Sequence, residues 1–179
     1  MTIKTERLTL RPWHDSDAEA LFKYAQEPEI GQSAGWPAHK SQQESLEVIR
    51  TVFSAPETYA VVPDLTGEPV GCVGVVPPRT GTDQATLRHE AAHIQAEIGY
   101  WIGKPYWGMG FIPEAVDALI KHLHENLHTE LFWIALFEGN DKSRRVAEKC
   151  GFTYHHTHND GVCAEHFYIK TVTRTTYSL

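Results

Sequence analysis

An α/β (α+β) sandwich, one mixed sheet with helices packed on it, is the fold class this sequence predicts, and three observations predict it. Segments that alternate apolar and polar residues are interspersed with segments whose apolar residues recur at helical spacing. One segment, residues 131–137 (LFWIALF), is apolar without a break, as a strand buried on both faces must be. The order of elements is strand, two helices, three strands, helix, strand, helix, two strands.

Each element has its own signal. Residues 5–11 alternate Leu8 and Leu10 with polar neighbours and read as a strand. Ser16 to Glu19 has the spacing of a capping box, and Ala20, Leu21, Tyr24 and Ala25 continue it as a helix that Pro28 and Gly31 end. Gly31 to Pro37 reads as a loop carrying one large aromatic, Trp36. Residues 41–53 form a second helix with Leu46, Ile49, Val52 and Phe53 on one side. Residues 58–63 and 69–76 are strands joined by the turn Asp64 to Gly67. The polar segment Arg79 to Ala92 fits a loop or a short helix equally well. Residues 93–102 form a strand, and a glycine-containing turn, Lys104 to Gly110, leads to a helix from about Ile112 to His124. After strand 131–137 comes a short helix, Asp141 to Cys150, closed by Gly151. Strands near 152–157 and 165–172 follow, and the last offers an edge at which a second copy can pair.

At 179 residues the chain fits one domain, 1–179, with a real core. Apolar residues make up 41% and charged residues 22%, as in a soluble globular protein. The apolar run at 131–137 is far too short to cross a bilayer, and residues 1–13 lack the long apolar stretch of a signal peptide. The expectation is a cytoplasmic protein without a membrane partner. Three cysteines, Cys72, Cys150 and Cys163, have no CxxC spacing and read as reduced thiols. A net charge of −7 with no basic run argues against nucleic acid and weakly favours a basic partner. Of eleven histidines, His155, His156, His158 and His166 lie near one another, but strand alternation splits 155 from 156 and 158, and no metal site is expected.

Two segments carry chemistry. In the first, a strand runs into Gly108-Met109-Gly110 and then into a helix. Glycine lets the backbone approach a ligand closely, and the helix behind offers unpaired N–H groups and the positive end of its dipole. That is a pyrophosphate site, or simply a tight strand-to-helix turn. It is neither a Walker loop nor a full GxGxxG pattern. In the second, Asn140 to Phe152 (NDKSRRVAEKCGF) starts where the buried strand ends. Asn140 suits a helix cap, and an exposed amide there can also hydrogen-bond an amide-containing ligand.

These segments, in this order and about thirty residues apart, resemble the GNAT superfamily of N-acetyltransferases. The opening TERLTLRPW, the stretch AEIGYWIGKPYWGMGFIPEA and the ending Asn-x-x-Ser…Glu-Lys-x-Gly-Phe look like its ribosomal-protein-alanine/serine (RimJ/RimL-like) branch. The resemblance spans nearly the whole chain. It implies a mostly antiparallel mixed sheet, with splayed strands near 99–102 and 131–137, and acetyl-CoA as cosubstrate. Acetyl-CoA would pair with the backbone of Tyr100, Trp101 and Ile102 and place its pyrophosphate on the amides of Trp107, Gly108, Met109, Gly110 and Phe111. Asn140 and Ser143 would contact it from the other side. The acceptor would be a primary amine, of a peptide or protein N-terminus or of a small molecule, and the enzyme a monomer or homodimer.

An alkylamine is mostly protonated at neutral pH and must lose a proton before it attacks. Glu97 is the candidate base; by alternation it shares a face with His93, Gln95 and Trp101, though it fits an ordinary salt-bridged strand residue too. A backbone N–H of Tyr100 or Trp101 is the candidate oxyanion donor. Ser143 is the candidate partner for the leaving thiolate, or an ordinary helix-surface hydroxyl. Trp36 and His93 are candidates for acceptor contact. Three positions depart from the family pattern: Ala147 where many members carry a tyrosine acid, Pro105 in place of Arg or Gln, and Met109 where the branch often has a cation. Pro105 suits the ribosomal-protein branch, whereas Ala147 and Met109 give support to the alternative, a non-catalytic CoA-binding sensor or partner-binding module that kept the fold.

Overall fold

Leu8 and Leu10 are completely buried, as their alternation requires, but residues 5–11 do not form one strand. In the computed structural model, which describes residues 1–77 and 95–173, the Thr5 hydroxyl accepts the Leu8 N–H at 2.9 Å and turns the chain. The result is a hairpin of β1 (Ile3–Lys4) and β2 (Leu8–Arg11), with Ile3 opposite Leu10. The expected capping box also sits elsewhere. The Asp17 carboxylate accepts the His14 N–H at 2.8 Å, around a single 3-10 turn at Asp15–Asp17, and the helix α1 (Ala18–Ala25) follows. Asp17 wins this position because Arg11 reaches it with two bonds, of 2.7 and 2.9 Å, which compensates its burial.

The Gly31 to Pro37 loop is corrected as well. Helix α2 (Pro28–Ala34) runs through it, with Pro28 in its first turn and Gly35 at φ 81° ending it. A proline at a helix start has no N–H to lose, so Pro28 opens α2 rather than only closing α1. Helix α3 (Gln42–Thr51) lies inside its expected range, capped by the Ser41 hydroxyl on the Glu44 N–H at 3.1 Å. The remaining elements are β3 (Thr58–Pro63), β4 (Gly71–Val75), β5 (Gln95–Ile102), α4 (Phe111–Leu127), β6 (Leu131–Phe137), α5 (Asp141–Lys149), β7 (Thr153–Asn159) and β8 (Ala164–Thr171). The segment Arg79 to Ala92 lies outside the described residues.

Among the described residues eight strands follow the order β1-β2-β3-β4-β5-β6-β8-β7. β5 and β6 run parallel, while β1–β2, β2–β3, β3–β4, β6–β8 and β7–β8 are antiparallel. The last strand, β8, is therefore paired on both sides, and the edge belongs to β7; the expected free edge at 165–172 is corrected. Contacts divide the chain into two units, Met1–Val75 with Gly99–Leu119, and Val76–Ile98 with Ile120–Leu179. In the first unit Leu8, Leu10, Leu21, Val61 and Val73 are at most 1% exposed. In the second, Phe132, Ile134, Leu136, Phe152 and Phe167 are buried, and each such side chain contributes about 1.5–3 kcal/mol on leaving water. Among the described residues no helix is long and apolar enough to cross a membrane.

Candidate active site

In the first unit, β5 ends at Ile102, a 3-10 turn occupies Lys104–Tyr106, and α4 begins at Phe111. Between them Gly108 and Gly110 have φ of +75° and +79°, which only glycine adopts without strain. The turn uses two of its own amides: Trp107 N–H donates to the Lys104 carbonyl at 3.1 Å and Met109 N–H to the Tyr106 carbonyl at 3.4 Å. The Trp107 indole N–H donates to the Ile102 carbonyl at 2.9 Å. Helical bonding starts with Glu114 N–H on the Gly110 carbonyl at 3.3 Å, so the N–H groups of Phe111 and Ile112 precede it; Pro113 has none to offer.

The turn rests on aromatic rings. A Cβ on Gly103 would lie 2.5 Å from Tyr24 Cδ1, so Tyr24 packs directly on the backbone there. Tyr106 meets Tyr24 edge-on at 5.9 Å and stacks on Phe111 at 6.2 Å. Lys104 bonds Glu27 and Glu29 at 3.2 and 3.0 Å. Glu114, in the first turn of α4, accepts from Thr5 Oγ1 at 2.6 Å, Arg7 N–H at 2.9 Å and Arg7 Nε at 2.7 Å. Burial raises the Glu114 carboxyl, but these bonds outweigh it and hold the group below its ordinary value. Arg7 Nη1 donates to the Met109 carbonyl at 3.0 Å, and its Cζ lies 4.8 Å above the Phe111 ring. No local spacing announces these contacts, because Arg7 and Glu114 are 107 positions apart.

Trp101 is 7% exposed and belongs to an aromatic cluster. Trp13 stacks on it at 6.3 Å, Trp36 meets it edge-on at 6.0 Å, and Trp13 stacks on Phe53 at 5.0 Å. Trp36, the acceptor-contact candidate, is half-buried here. Tyr100 and Ile102 are half-buried on β5. The nearby Cys72 thiol is pushed up to about 12 by burial and is inert as a nucleophile.

In the second unit, Glu97 is 3% exposed and lies opposite Trp133. The parallel ladder pairs Gln95 to Glu97 with Leu131 to Trp133, and both strands run on past it. Gln95 Oε1 accepts the Trp133 indole N–H at 3.1 Å, which places Gln95 on the face of Glu97 as alternation predicts. His93, expected on that face, lies outside the described residues. The alternation that set His155 apart from His156 is corrected. A bulge in β7 makes His155 an additional residue between Tyr154, opposite Tyr168, and His156, opposite Phe167. It brings His155 Nδ1 and His156 Nδ1 to 2.8 Å, so one ring donates and the other accepts. His155 meets Trp133 edge-on at 5.2 Å, and His156 stacks on Phe167 at 4.8 Å.

Asn140 follows Gly139, at φ 80°, where β6 turns into α5. Its side-chain oxygen accepts the Ser143 N–H at 3.1 Å, so it is the helix cap the sequence suggests. Ser143 stands at the third position of α5 and is half-exposed. Ala147 is completely buried and packs as core. Beside the cap lies a cavity of about 290 Å³, lined by Asn140, Arg144, Tyr154, His166 and Tyr168 among others.

Residues 7–153 match the family described as an acetyltransferase (GNAT) domain. The chain is 25% identical to YoaA, an uncharacterised N-acetyltransferase of Bacillus subtilis (strain 168), over 93% of this chain and 88% of that one. Over 65 residues, 36% of each chain, it is 37% identical to the ribosomal-protein-serine acetyltransferase of Escherichia coli (strain K12). Among solved structures, an acetyltransferase of the GNAT family from Bacillus anthracis superposes with a TM-score of 0.81 at 19% identity, covering 96% of this chain and 98% of that one.

Proposed function

This chain belongs to the GNAT family of acetyl-CoA-dependent N-acetyltransferases, and on that premise we propose that it acetylates a primary amine through the residues placed on β5, the glycine turn and the start of α5. The observation that carries the reading is the pair of positive-φ glycines, Gly108 and Gly110, at the head of the 17-residue helix α4. A Cβ on Gly108 would meet nothing within 4 Å, so this glycine serves backbone conformation and leaves the surface above it open to a ligand.

Acetyl-CoA supplies the thioester and, through its pyrophosphate, an anion suited to a helix N-terminus. The amides of Gly108, Gly110 and Phe111 are the main donors to that anion, flanked by those of Trp107 and Met109, which the turn partly uses. The backbone of Tyr100, Trp101 and Ile102 orients the pantetheine arm, with the Asn140 amide as a further contact. Glu97 accepts one proton of the ammonium, which frees the nitrogen lone pair to form the new C–N bond as the C–S bond breaks; the second proton passes from that nitrogen to the departing thiolate and gives the free thiol of CoA. The Tyr100 or Trp101 N–H stabilises charge on the carbonyl oxygen. Ser143 donates a hydrogen bond to the departing sulfur. Trp36 and His93 contact the acceptor.

A protein N-terminus or a small amine are the acceptor classes. The relationship to the serine acetyltransferase of Escherichia coli favours the former, and a net charge of −7 favours a basic acceptor. The test is calorimetric titration with acetyl-CoA, using the wild type and Gly110→Asp. The wild type is expected to bind in the micromolar range and the variant to lose about a hundredfold, through strain at φ +79° and repulsion at the phosphates. Equal affinities would refute the phosphate assignment. Turnover would then be screened from Ser- and Ala-terminated peptides to polyamines.

A further inference from the structure

We infer that Arg7 is a positioning residue for the phosphate turn: by holding the Met109 carbonyl it aims the Gly110 N–H at the pyrophosphate. The inference rests on the phosphate assignment proposed above and adds the device that sets its geometry.

A trans peptide is planar, and its C=O and N–H point in opposite directions. The Met109 carbonyl and the Gly110 N–H belong to one such plane. Arg7 Nη1 holds that carbonyl at 3.0 Å. Fixing the carbonyl therefore fixes the N–H, turned away from Arg7. Without it, the plane between Met109 and Gly110 rotates more easily, because Gly110 carries no side chain to restrain it on that side.

Arg7 is itself held on several sides. Its Nε and Nη2 reach Glu114 Oε2 at 2.7 Å, and its own backbone N–H reaches Glu114 Oε1 at 2.9 Å. Thr5 Oγ1 fixes the same carboxylate at 2.6 Å, and the guanidinium plane lies over Phe111, the first residue of α4. The arrangement needs a planar fork, since one edge serves the carboxylate while another donor serves the carbonyl. It also sets a positive group beside a turn in which Met109 supplies none. The pair is half-exposed on the Arg7 side, at 45%, so its contribution to stability is small. Its effect falls on ligand geometry.

The experiment compares two acetyl donors, acetyl-CoA and S-acetylpantetheine, which has the same thioester and arm but no pyrophosphate. The proteins are the wild type, Arg7→Met, Arg7→Lys and Gly110→Asp, each checked for its melting temperature. Arg7→Met is expected to lower kcat/KM for acetyl-CoA about tenfold, through KM, the loss of one well-oriented charge-assisted contact. Its kcat/KM for S-acetylpantetheine should stay within about twofold of wild type. Arg7→Lys keeps the charge without the fork and should fall between; it also serves if Arg7→Met does not fold. Equal losses with both donors, or no loss with either, would overturn the inference. If Gly110→Asp loses acetyl-CoA selectively and the Arg7 variants do not, Arg7 has no positioning role and the phosphate turn stands. If no variant separates the donors, the phosphate assignment falls with it.

Discussion

Gly31→Ala sets two physical effects against each other, and the structure decides the sign. Gly31 sits inside α2, where alanine ordinarily stabilises a helix by about 1 kcal/mol. A Cβ here, however, would lie 2.4 Å from the Trp36 carbonyl oxygen and 3.2 Å from the Ala38 nitrogen. Both are backbone atoms of the segment that turns back onto α2, fixed by the Trp36 N–H bond to the Gly31 carbonyl at 3.0 Å. They cannot swing aside as a side chain does, so the segment must move by about half an ångström or more. Overpacking of this kind costs about 1–3 kcal/mol, and against backbone the upper half of that range applies. The net expectation is destabilisation by about 1–2 kcal/mol, a fall in Tm of roughly 5 °C for a chain of this size. Urea unfolding is the assay, with the exposed Gln32→Ala on the same helix as the control expected within about 0.5 kcal/mol of wild type. Because the displaced segment carries Trp36, acceptor KM should rise as well. A variant more stable than wild type would show that propensity dominates and that the close approach is not rigid.

Other expectations follow from single contacts. Glu97→Gln should lower kcat by about 10²–10⁴ while leaving acetyl-CoA affinity within twofold; undiminished turnover would remove Glu97 as base. Asn140→Ala should cost about 1 kcal/mol of stability and raise the KM for acetyl-CoA, whereas Asn140→Ser restores the cap but not the amide, so stability returns and KM does not. Asp17→Asn breaks a largely buried pair with Arg11 and should destabilise by about 2–3 kcal/mol in urea unfolding. Burial raises the Asp17 carboxyl, but the Arg11 guanidinium and the His14 N–H outweigh it and hold it below its ordinary value. Its folded pKa thus lies below the unfolded one. The pair's stability is present in full above about pH 4 and is lost as pH falls through the folded value; in Asp17→Asn that acid-dependent component should be missing.

The readable parts of this sequence are those where cause and consequence are close together. Residues 131–137 need only their own composition to declare a strand covered on both faces, and four of them are buried. Gly108, Gly110 and Asn140 are fixed by the conformations of their own residues. The misreadings share a different origin. Pro28 is equally suited to stopping one helix and starting the next, and only packing chooses between them. The break at Thr5 depends on a hydroxyl competing for the Leu8 amide, which alternation does not register. The β7 bulge shifts the face of every residue beyond it, so two-residue periodicity separated His155 from His156 when the fold sets them side by side. The Arg7–Glu114 contact links an N-terminal hairpin to a helix 107 residues away, a distance over which no spacing rule operates.

The bulge at His155 also bears on how such a chain diversifies. An insertion in an interior strand would throw its neighbours out of step on both sides, but β7 has a neighbour on one side only, and the ladder resumes at His156 opposite Phe167. A single-codon deletion at 155 would restore regular pairing and leave β8 and its ladder to β6 untouched. This hairpin can therefore gain or lose a residue, and re-aim the imidazole beside Trp133, at small cost to the rest of the sheet. Length variation in a lineage should accumulate here before it reaches β5, β6 or the glycine turn.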